Sequence, residues 1–122
     1  MLVVALLFAA VAANPYGDWR GPSTCLVRPS PCHDEDALYR VSRLKEPNRV
    51  HLQVHKYVNG EPAMFSEDDC RYDAKRAAID CALPNGSRVQ FDIKGDAMDG
   101  NFVEKDGTKY RAMHLRRVPS AH

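Results

Sequence analysis

The sequence has no charge excess of either sign. Its 17 Lys and Arg residues face 16 Asp and Glu residues, a net charge of +1. A nucleic-acid module carries a strong basic excess, so nucleic acid is not an expected partner. No basic amphipathic stretch is available for a membrane surface. Catalytic signatures are missing too. The chain holds no G-x-S-x-G, no glycine-rich phosphate loop and no H-E-x-x-H. It therefore reads as a non-enzyme, with no catalytic residue, cofactor or metal expected. Internal repeats, low-complexity segments and long amphipathic helices are also lacking. Tryptophan occurs once, at Trp19.

The longest uncharged apolar run is confined to the first thirteen residues, MLVVALLFAAVAA. At ~20 residues per bilayer crossing, it is too short for a membrane helix. It fits the apolar core of a signal peptide, and Ala10, Ala12 and Ala13 supply an A-x-A-like cleavage site. No Lys or Arg precedes it, which departs from the usual signal. The expectation is a signal helix over residues 1–13 and one domain over residues 14–122. That domain is expected to be secreted or periplasmic, monomeric and not inserted in a membrane. The four cysteines, Cys25, Cys32, Cys70 and Cys81, agree with export and read as two disulfides.

The rest of the chain is punctuated by 8 prolines and 7 glycines. Candidate strands are short and separated by turn residues, the pattern of an all-β fold. "RVHLQVHKYV" is the clearest. Val50, Leu52, Val54 and Val58 share one parity; Arg49, His51, Gln53, His55 and Tyr57 share the other. Such alternation predicts one buried and one wet face. Ala37 to Leu44 reads as the strand before it. Asn59-Gly60 marks the turn after it.

The second cysteine pair constrains two hairpins. If Cys70 and Cys81 oppose each other, Tyr72 faces Ile79 and residues 74–77 form the loop. Cys70, Tyr72, Ile79, Cys81 and Leu83 then share a face, as a buried register requires. Closing that loop stabilises the fold by ~3 kcal/mol in the chain-entropy model. "LPNGS" predicts a three-residue loop with Leu83 opposite Ser87. Cys81 then opposes Val89, and Ile79 opposes Phe91. A two-residue Asn-Gly loop would split this apolar set. In the last hairpin, a two-residue Asp106-Gly107 turn opposes Phe102 and Arg111. A three-residue loop opposes Phe102 and Tyr110 instead. The sequence leaves both open.

The expected architecture is a small antiparallel meander of about eight strands. Closure into a barrel is the simplest way to remove its edges. "GDWRG" near the start and "YRAMHLRR" near the end sharpen this. A G-x-W on the first strand and an arginine on the last resemble the signature of lipocalin-like, calycin-type barrels. The resemblance implies that Trp19 closes one barrel end, with Gly17 beside it and Arg111 or Arg117 over its ring. The chain also resembles a group of small secreted bacterial proteins of unassigned function. Trp19, the two cysteine pairs and Asp106 to Arg111 carry that likeness. The chain is shorter than full lipocalins, which implies shorter strands and a narrower interior.

Other clusters have bland readings. "CHDED", Cys32 to Asp36, could hold calcium but lacks the spaced D-x-D-x-D-G loop. His51 and His55 lie two pleat periods apart, too far to share one ion. His114 could approach them only if the closing strand lay nearby. The cysteines lack C-x₂-C zinc spacing. "NGS" at Asn85 is a glycosylation sequon inside a tight turn.

Two functions are expected from this. In the first, the interior binds a small apolar or acidic-headed molecule. Trp19, Val89, Phe91, Ile93, Met98, Phe102 and Met113 would line the site, and Arg111 would pair with the acidic head. In the second, the core is filled and the barrel is an inhibitor-like scaffold. It would bind an extracytoplasmic protein through the loops at Asp34 to Asp36 and Phe65 to Asp69. A cavity of ligand size separates the two.

Overall fold

A computed structural model describes residues 14–119. The signal helix expected over residues 1–13 lies outside the described residues. Eight antiparallel strands follow one another: β1 (Gly17–Cys25), β2 (Glu35–Arg43), β3 (Arg49–Val58), β4 (Glu61–Asp73), β5 (Ala78–Ala82), β6 (Arg88–Lys94), β7 (Ala97–Val103) and β8 (Lys109–Arg117). Each pairs with its sequence neighbour, and β8 pairs with β1 to close the barrel. The fold is all-β, with no helix among the described residues.

Both disulfides form, Cys25–Cys32 and Cys70–Cys81. They fit folding in an oxidising, extracytoplasmic compartment. The registers inferred around the second one are present. Tyr72 opposes Ile79, Cys81 opposes Val89, and Ile79 opposes Phe91. Leu83 donates to the Ser87 carbonyl, closing the three-residue loop.

The last hairpin combines the two registers that the sequence leaves open. Glu104 N–H bonds the Thr108 carbonyl around a three-residue loop. Phe102 nevertheless opposes Arg111. A register shift between Phe102 and Val103 reconciles them. One extra residue on β8, Tyr110, is absorbed there as a bulge.

Four strand expectations are corrected. β2 starts at Glu35, not Ala37, so Asp34 to Asp36 is not a free loop: Asp36 already pairs with Pro22 of β1. β4 spans Glu61–Asp73, so Phe65 to Asp69 is strand as well. Its first half lacks apolar alternation because it runs past the packed core, and a register shift opposite Val54/His55 breaks its parity. His55, expected to be wet, is only 7% exposed. It packs on the outer face beside its cross-strand partner Leu38, which is also buried. Val58, expected inside, is exposed where the β3–β4 hairpin passes the core.

The core fills one end of the barrel. Trp19 is fully buried there, and its Nε1–H donates to the Pro15 carbonyl at 3.0 Å. Arg117, not Arg111, covers the ring, 4.2 Å from its centroid. The same guanidinium donates to the Tyr16 and Asn14 carbonyls and to Asp96. Gly17 enters β1 at φ +117, a backbone conformation that side chains disfavour.

Candidate functional site

The other end of the barrel is hollow. β1 runs from Trp19, paired with Arg117, to Cys25, paired with Arg111. The six residue steps from Arg111 to Arg117 span roughly 20 Å of strand. At the Arg111 end lies a cavity of about 730 Å³ that opens to solvent. Its floor and lower walls are also part of the core cluster: Ala37, Tyr39, Leu52, Cys81, Val89 and Met113. Val54, Leu83 and Phe102 continue the apolar wall. Phe65, Pro31, His33, Pro84 and Tyr110 are also in the lining, and Glu35, Lys56, Glu67, Asp68 and Arg111 bring charge to it.

Strand parity builds this site. Inward positions alternate along each strand, so Cys70, Asp68 and Ser66 follow one another up β4. Asp68 opposes Leu52 and Ser66 opposes Val54 on β3. The packed half uses large apolar side chains at these positions. The open half uses Ser23, Ala37, Ser66 and Asp68, which are too small or too polar to fill it.

Arg111 is already engaged. Its Nη1 donates to the Ser23 carbonyl and hydroxyl at 3.2 and 3.1 Å, and its Nη2 to the His33 carbonyl at 2.7 Å. Glu35 lies 3.7 Å away. The guanidinium thus braces the Cys25–Cys32 loop against β8. Its charge is offset before any ligand arrives. The other acidic residues of "CHDED" are spent in the same way. Asp34 takes the Cys25 N–H and Arg28, and Asp36 takes Arg20. Arginine side chains offset the charge of this run.

Tyr39 sits between the core and the cavity. Its ring meets Phe91 edge-on at 5.2 Å. Burial pushes its hydroxyl well above the ordinary phenol value, against the opposing pull of Arg111, so it stays protonated.

The sequence-predicted lining divides in two. Val89, Phe102, Arg111 and Met113 line the cavity. Trp19, Phe91, Ile93 and Met98 lie in the packed half, away from it. Sequence reasoning missed Tyr39, Leu52, Val54, Ser66 and Asp68. Parity carried back from Cys70 would have found the last two.

The remaining histidines lie outside the barrel. His51 contacts Asp69 at 2.7 Å and Glu67 at 3.0 Å. His114, on β8, contacts Asp99 on β7, and β1 and β2 stand between β8 and β3. No cluster of three metal-ligating side chains is present among the described residues. No family model matches the chain, and no curated protein matches it.

Proposed function

We propose that this protein is an exported, monomeric, lipocalin-like barrel that binds a small amphiphilic molecule in its open end. The cavity carries this reading. Its volume of about 730 Å³ falls in the ~300–1,000 Å³ range of small-molecule sites. Its wall is mainly apolar, with a few polar groups held at defined places. The Trp19–Arg117 plug gives such a container a closed bottom. Closure leaves no free sheet edge to drive self-association. Outward positions such as Arg88, Gln90, Asp92 and Lys94 are exposed, which suits water rather than lipid.

Arg111 acts as a brace in this reading, not as a receptor for an acidic head. The apolar wall supplies the affinity. The test is native mass spectrometry of protein purified from its own host, with displacement of an apolar fluorescent probe. A bound mass that the probe competes for is expected. Failure of every apolar probe to enter the barrel would overturn the reading.

One observation favours protein docking as a second reading. Met64 and Phe65 are 56% and 70% exposed on β4 beside the cavity mouth. A partner seated there should be lost on Met64→Ser, which lies outside the cavity lining, with probe binding retained.

A further inference from the structure

The charges inside the cavity are unequally served. Arg111 is bonded to Ser23 and His33 and faces Glu35. Lys56 rests over the Phe65 ring at the rim, its ammonium 5.4 Å from the centroid. Asp68 has no such partner. Its carboxylate makes no hydrogen bond and no ion pair among the described residues.

Its position makes this costly. Asp68 sits one inward step above the Cys70–Cys81 disulfide, opposite Leu52, with Leu83 also on the wall. Asp68 is half-buried, and on a largely apolar wall its carboxylate loses part of its solvation with no protein partner to offset it. The charged groups acting on it are Asp69, His51 and Glu67, of which only Glu67 also borders the cavity. Two of these are anions. His51 spends both ring nitrogens on them. Burial, then Asp69, holds the Asp68 carboxyl above its ordinary range.

We propose that Asp68 anchors the protonated amino group of an amphiphilic amine whose apolar body fills the cavity. This rests on reading the cavity as a ligand site. The ammonium replaces the water that Asp68 loses, and the hydrocarbon covers Leu52, Val54 and Val89. An acidic head would meet an unpaired like charge at the same wall.

The test compares decylamine, decanol and decanoate at neutral pH, by calorimetry on the disulfide-intact protein. Decylamine should bind about tenfold or more tightly than decanol, as a charge-assisted hydrogen bond allows. Decanoate should bind most weakly. Asp68→Asn should bring decylamine down to the decanol level and leave decanol unchanged. Asp92→Asn, on the outer face of β6, should keep the full preference. Thermal unfolding checks that both variants are folded. Equal affinity for amine and alcohol, or a preference that survives Asp68→Asn, overturns the amine proposal and leaves the cavity reading standing. Tightest binding of decanoate also overturns it. If none of the three binds, both readings fall together.

Discussion

The Arg117 guanidinium lies over the Trp19 ring, 4.2 Å from its centroid, while its nitrogens hold the Tyr16 and Asn14 carbonyls. One side chain therefore caps the barrel floor and fastens the segment leading into β1. Trp19 itself is fully buried. Trp19→Ala should cost ~3–5 kcal/mol, read from denaturant unfolding. Arg117→Met keeps the bulk but loses the cation and its donors, and should cost less. A Trp19→Ala loss near zero would mean that the ring does not plug the barrel.

Gly100 has no side chain because Phe91 occupies the space. A Cβ on Gly100 would lie 2.3 Å from the Phe91 ring and 2.4 Å from the Gln90 carbonyl. The ring cannot move away freely, since it also meets Tyr39 edge-on. Gly100→Ala should destabilise by ~1–3 kcal/mol through overpacking. Pairing it with Phe91→Leu should recover part of that loss. Additive losses in the double variant would show that the two do not share the space.

Much of this was legible because the packed half obeys strict alternation. Val89, Phe91 and Ile93 are buried while Arg88, Gln90, Asp92 and Lys94 are exposed, and the disulfide set the register beside them. The open half hid itself for the same physical reason that it is open. Its inward positions include Ser23, Ser66 and Asp68, so no apolar period marks them. The register shift opposite Val54/His55 then inverts the outer segment of β4. The choice between Arg111 and Arg117 over Trp19 could not come from parity, since both face inward. Only the β1–β8 register separates them.

His51 makes the fold sensitive to pH. Hydrogen bonds to Asp69 and then Glu67 raise its pKa above the ordinary 6.5. The folded state thus holds this proton more tightly than the unfolded chain. The stabilisation is complete below the unfolded value and is lost as pH rises through the folded one. His55 has the opposite sign: burial lowers its pKa, so acid works against it. His51→Gln isolates the first effect. The variant should melt below wild type at about pH 5.5, and the gap should narrow by about pH 8.5. A gap that is constant with pH would remove the assignment.

The Cys70–Cys81 bond ties β4 to β5 and places Cys81 on the cavity wall. Replacing both with alanine should cost ~2–5 kcal/mol, as loss of a native disulfide does in small exported domains. The Cys25–Cys32 loop is braced independently, by Asp34 on the Cys25 N–H and by Arg111 on His33. Its removal should therefore cost less. Denaturant unfolding of the two double variants gives the order, and the reverse order would show that the rim, not the wall, limits stability.

The two ends of the barrel should respond oppositely to added bulk. Val54 is half-buried on the cavity wall, whereas Val50 is fully buried in the packed half, although both face inward from β3. Val54→Trp places the indole in the hollow, where about 730 Å³ is free. It should leave the melting temperature unchanged or raise it, and should abolish decanol binding. Val50→Trp meets close-packed neighbours and should destabilise by ~1–3 kcal/mol. Measured together by thermal unfolding and calorimetry, the pair separates a built cavity from a loosely filled core. A loose core would yield and accept both substitutions alike. A built cavity accepts only the one at Val54, and loses its ligand in doing so.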